Sequence, residues 1–148
     1  MPAVTVWLVR ASLAQFLAGA TLGALMLATK GGAGAGLVPV WAFPAHLEAM
    51  TYGYLIQMVL GVALWILPRR PGQDREASAW AGWIALGALN GGVVAAATGA
   101  ALRSEWLVAA GRTAALVATA LVAAVLVPRV RAYRLALRTP SSPPAPPT

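Results

Sequence analysis

Residues 45–67 read AHLEAMTYGYLIQMVLGVALWIL, and this stretch decides the fold. After His46 and Glu48 in its first turn, no charged side chain follows until Arg69. At 1.5 Å per residue, a hydrocarbon core of about 30 Å needs about 20 apolar residues, so the stretch is long enough to cross a bilayer as one helix. Pro68 cannot continue such a helix, and Arg69 and Arg70 anchor its end. Working outward, three more runs of the same kind appear: Ala11 to Thr29, Ala79 to Ala101 and Trp106 to Val127. Of the 148 residues, 59% are apolar and 10% charged, against about 25% charged in soluble domains, so lipid is the expected solvent. The expectation is an all-α fold, an integral membrane four-helix bundle with helices at about 5–29, 45–67, 79–101 and 106–134. These make one transmembrane domain over residues 1–138. The remaining 139–148 hold five prolines and nothing large to bury, and are expected to be disordered.

A net charge of +7 would suit nucleic acid in a soluble chain, but here the charges sit at the ends of the apolar runs, where orientation in the bilayer is set. Nucleic acid is therefore not an expected partner. Arg10, Arg69, Arg70, Arg75, Arg129, Arg131, Arg134 and Arg138 fall on one side, and only Lys30 and Arg103 on the other. Eight against two places both termini in the cytoplasm. Trp41 and Trp106 then mark the outer interface, and Trp7, Trp65, Trp80 and Trp83 the inner one. The first run is longer than the 7–15 apolar residues of a signal peptide and is read as a span.

With no cysteine, disulfides and thiolate chemistry are excluded. The Gly31-Gly32-Ala33-Gly34-Ala35-Gly36 stretch lacks both the preceding strand and the closing Gly-Lys-Ser/Thr of a phosphate loop, and reads as a flexible connection. Gly19 and Gly23, and again Gly87 and Gly91, stand four apart, a spacing that lets helices approach closely.

Polar groups inside the runs are the functional candidates, because burial in lipid is costly. They are His46 and Glu48 at the start of the second run, Asn90 in the third and Arg112 in the fourth. The second and fourth runs begin at the same face, so His46, Glu48 and Arg112 share one layer near the outer surface, with Arg112 about 9 Å down. A guanidinium at that depth needs a partner, and Glu48 is the acidic side chain within reach. Met26 lies at the depth of His46, and imidazole and thioether are known axial partners for haem iron. Met50, one turn beyond His46, would lie beside that ligand and not opposite it. Gly53, Gly61, Gly87, Gly91 and Gly92 leave room either for a flat macrocycle or for a neighbouring backbone.

Ala45-His46-Leu47-Glu48, then Gly53-Tyr54, then Gly61 and the closing Ile66-Leu67-Pro68-Arg69, resemble the second helix of subunit I in haem-copper oxidases and nitric oxide reductases. They resemble still more the short four-helix proteins related to that subunit, which often read Ala-His-x-His with Gly-Trp five residues on. The resemblance implies that His46 ligates a low-spin haem b at the outer end of its helix. Glu48 stands where the short relatives carry a second histidine, and the six-histidine set of full-length subunits is missing, so oxygen or nitric oxide reduction is not implied. No independent catalysis is expected.

The leading expectation is a b-type haem protein with His46 as axial ligand to the iron. Met26, or the His46 of a second protomer, stands opposite, and Arg112, with Glu48 beside it, faces a propionate. Its role would be electron transfer or haem-based sensing in the respiratory chain of a bacterial inner (cytoplasmic) membrane, as a homodimer or within a larger assembly. The alternatives are a non-redox accessory subunit and a small proton-coupled transporter using Glu48.

Overall fold

The computed structural model describes residues 2–32, 38–67 and 75–138. It is all-helical, with four helices long and apolar enough to cross a membrane. They are α1 (Ala3–Lys30), α2 (Ala42–Ile66), α3 (Arg75–Leu102) and α4 (Glu105–Arg138). The glycine-rich connection at 33–37, the loop 68–74 with Arg69 and Arg70, and the proline-rich tail 139–148 lie outside the described residues.

The helix ends follow local chemistry. α2 stops at Ile66 because Leu67 precedes a proline and takes the extended conformation (φ −70°, ψ 122°) that such a position favours. α3 begins at Arg75, inside the polar stretch expected to be loop, since Arg75, Glu76 and Ala77 are good helix formers. Pro128 does not close α4, which runs on to Arg138; a proline inside a helix costs one backbone hydrogen bond and a kink but need not end it. Arg129, one of the eight basic residues assigned to the cytoplasmic side, is 1% exposed.

Two antiparallel pairs build the bundle. α3 and α4 form a hairpin through Arg103 and Ser104, where Arg103 takes the left-handed conformation (φ 54°) and the Ser104 amide bonds the Gly99 carbonyl at 2.8 Å. The hairpin closes on its glycines: a Cβ on Gly111 would stand 2.5 Å from the Gly92 carbonyl oxygen, and one on Gly92 would stand 2.6 Å from that of Gly111. Small residues let the backbones approach and gain dispersion contact where lipid offers no hydrophobic drive. α1 packs along α2, and both lie against α3. Leu8, Leu60, Leu64, Leu89 and Val122 meet in the shared core.

An uncharged polar layer crosses this core. The Gln15 amide donates to the Asn90 side-chain oxygen at 3.1 Å, Asn90 donates to Gln57 at 3.0 Å, and Gln57 donates to the Leu8 carbonyl at 3.2 Å. The chain of amides joins α1, α3 and α2 in turn. Gln57 is fully buried, and its bonds satisfy an amide that the apolar core would otherwise leave unpaired.

Candidate functional site

The upper half of α2 sets the site. Ala42–Glu48 is α-helical, and Ala49–Ile56 widens into π-helical turns before the α-helix resumes at Gln57. Such widened turns are rare and occur often at functional sites. His46 and Glu48, two residues apart on an α-helix, point about 200° apart. His46 therefore turns to α1 and Glu48 to α4.

His46 and Met50, one turn apart on α2, seat on Gly23 and Gly19, one turn apart on α1. A Cβ on Gly23 would be 2.9 Å from His46 Cε1, and one on Gly19 would be 2.8 Å from the Met50 sulfur. The four-residue glycine spacing of the first run thus serves these two side chains. His46 Nδ1 stands 2.7 Å from the Gly19 carbonyl oxygen. A carbonyl oxygen only accepts, so Nδ1 carries the proton and donates it. Nε2 makes no hydrogen bond among the described residues, and its lone pair is left for a ligand. A backbone carbonyl on one ring nitrogen is the common way to fix a metal-ligating imidazole.

His46 lines a cavity of about 500 Å³ at this end of the bundle. Met26 lines the same cavity from α1, with Leu27, Val38, Val40 and Phe43 as apolar wall and Lys30 as its cation. The volume lies inside the roughly 300–1,000 Å³ of small-molecule and cofactor sites. Met26 and His46 thus line one cavity.

Glu48 and Arg112 are brought together elsewhere. Arg112 Nε donates to Glu48 Oε1 at 2.7 Å, and neither residue lines the His46 cavity. Glu48 is 5% exposed at its side chain and Arg112 54% exposed, so the acid is sunk between helices and the base lies over it. Removing the arginine strands a buried carboxylate, whereas removing the acid frees a side chain that can reach toward water. Arg112→Leu is expected to lower thermal stability in detergent more than Glu48→Gln, and the double change to cost less than the two losses summed. Melting curves of the four proteins check this, and strictly additive losses would contradict it.

Asn90 is joined in the structure by Gln15 and Gln57, two further amides inside apolar runs. Lys30, at the end of α1, lines the cavity as well as marking the outer side. Of the expected roomy glycines, Gly53 meets the Gln15 side chain, Gly61 meets Leu8 and Gly92 meets Gly111, whereas Gly87 and Gly91 face outward with nothing within 4 Å. Three of the five therefore serve neighbouring helices. Comparison with family models, with curated proteins and with solved structures finds no match to this chain.

Proposed function

We propose that the chain is a membrane b-type haem protein, with His46 Nε2 as axial ligand and Met26 Sδ opposite, serving one-electron transfer or haem-based sensing in a respiratory membrane. The observation that carries this reading is the His46 Nδ1 to Gly19 carbonyl bond of 2.7 Å, which orients the imidazole and leaves Nε2 as the donor atom beside a cavity that Met26 also lines. Imidazole and thioether are an axial pair known for haem iron. The apolar wall of Leu27, Val38, Val40 and Phe43 suits a macrocycle's face, and Lys30 at the end of α1 suits a propionate. When bound, haem supplies the one-electron couple between ferric and ferrous iron.

The protein's own contribution is position. The Gly19 carbonyl fixes the ring tautomer, Gly23 gives the ring room, and the Glu48 to Arg112 pair fixes the rotation of α2 that turns His46 toward α1. Glu48 and Arg112 are positioning residues in this account, and Lys30 takes the propionate contact expected of Arg112. Titrating the full chain with hemin tests the reading: a Soret band should saturate at one haem per chain. Saturation at one haem per two chains would replace Met26 by the His46 of a second protomer.

We further propose that both termini face the cytoplasm, on the eight-to-two distribution of basic residues. A reporter fused after Ser104 should read external and one fused after Arg138 cytoplasmic; the reverse pattern would invert the molecule.

A second reading, a non-redox subunit that supports a membrane partner, is favoured by Gly87 and Gly91, which present an open small-residue face on α3. The transporter alternative has less support, because Glu48 is nearly covered and held in a charge-assisted hydrogen bond to Arg112.

A further inference from the structure

The half-exposed Arg112 is not used up by its ion pair. A guanidinium carries five N–H donors in a planar fork. Nε is committed to Glu48, and the two terminal nitrogens make no hydrogen bond among the described residues. Leu116 and Val117, exposed on the next turn of α4, are 64% and 60% open, and this stretch belongs to a membrane-crossing span. Trp106, 88% exposed near the start of the helix, marks the interface, and Arg112 lies six residues further, about 9 Å deeper. Four N–H donors facing lipid at that depth would be costly if left bare. An arginine side chain is long enough to turn its head toward the headgroup layer while its stem stays in hydrocarbon.

We propose that the terminal fork of Arg112 binds the phosphate of a phospholipid in the leaflet at this end of the bundle, seated against the outer face of α4. The chemistry is bidentate, two parallel N–H···O bonds from the guanidinium to the phosphodiester oxygens, while Nε holds Glu48. Among the described residues, a second copy of the chain does not offer an equivalent anion. Glu48 is engaged and sunk between helices, Glu105 lies seven residues nearer the surface, and Glu76 stands in the first turn of α3, at the opposite end of the bundle. Lipid supplies an anion in the headgroup layer above this position on every side of the protein, in the direction an arginine head can turn. The pair thus couples lipid to fold, since the phosphate steadies the arginine that covers Glu48. This inference is independent of the haem reading, because Arg112 does not line the His46 cavity.

Native mass spectrometry of the full-length protein in detergent, titrated with dioleoylphosphatidylglycerol, tests it. Wild type should retain one lipid more tightly than the rest. Arg112→Lys keeps a cation for Glu48 but loses the fork, and should bind that lipid about tenfold more weakly, or about 1.4 kcal/mol. Equal affinities for wild type and Arg112→Lys would overturn the proposal. Glu48→Gln provides a second arm should the lysine variant fail to insert: it leaves the fork intact, so the lipid must be retained, and its loss would also overturn the proposal. Millimolar inorganic phosphate should not displace the lipid, because the acyl chains contribute to binding. Full displacement would make this a free-anion site and contradict the lipid assignment.

Discussion

Gly111→Leu should destroy the α3–α4 hairpin. Any Cβ at this position would sit 2.5 Å from the Gly92 carbonyl oxygen and 2.7 Å from the Ala96 amide nitrogen. Both obstacles are backbone, so no rotamer change relieves the clash and the helices must separate along their closest line of contact. Overpacking of a well-filled interior costs about 1–3 kcal/mol when side chains can yield. Here they cannot, and the cost should reach or exceed the upper end, a fall of about 10 °C or more in melting temperature for a chain of this size. Gly87→Leu is the matched control. It places the same side chain on the same hairpin where nothing lies within 4 Å, and should change the melting temperature little. A Gly111→Leu protein that melts like wild type would mean that α3 and α4 do not pack as described.

His46→Ala should abolish haem binding while leaving the protein inserted and folded. The substitution removes the Nε2 donor together with the 2.7 Å bond from Nδ1 to Gly19, a half-buried contact whose loss costs about 0.5–1.5 kcal/mol, small beside the loss of an iron ligand. The Soret band should disappear at every hemin concentration that saturates the wild type, with the melting curve nearly unchanged. Met26→Leu conserves volume and apolarity, so it should keep the haem but convert a low-spin spectrum towards high-spin. Retention of a normal Soret band by His46→Ala would remove His46 from the site.

How much of this was legible beforehand depends on which quantities a linear chain carries. The number of helices follows from run length: residues 45–67 set the scale, and four apolar runs of that size give four helices long and apolar enough to cross a membrane. The Glu48 to Arg112 pair was legible because one acid and one base, each inside an apolar run, lay at the same depth. The same 100° per residue sends His46 and Glu48 to opposite sides of α2, so an arginine bound to one does not face the cavity of the other. The amide chain of Gln15, Asn90 and Gln57 was hidden for a different reason. Each residue lies in a separate run, and whether their amides meet depends on how the helices rotate, which no spacing within one run reveals. Lys30 ends α1, and its place beside the cavity depends on the path of the chain through Val38 to Phe43. The boundaries at Arg75 and Arg138 do not follow from hydropathy, which marks where apolar composition ends, whereas a helix continues as long as its residues favour it.

The central claim, a haem held by His46, is tested most directly by the dithionite-reduced minus air-oxidised visible spectrum of full-length protein purified from the membranes that produce it. The account predicts a Soret difference and sharp α and β bands of a low-spin b-type haem, at one haem per chain. A featureless difference spectrum from folded protein that also fails to take up added hemin would contradict it, and would leave the supporting-subunit reading as the better description.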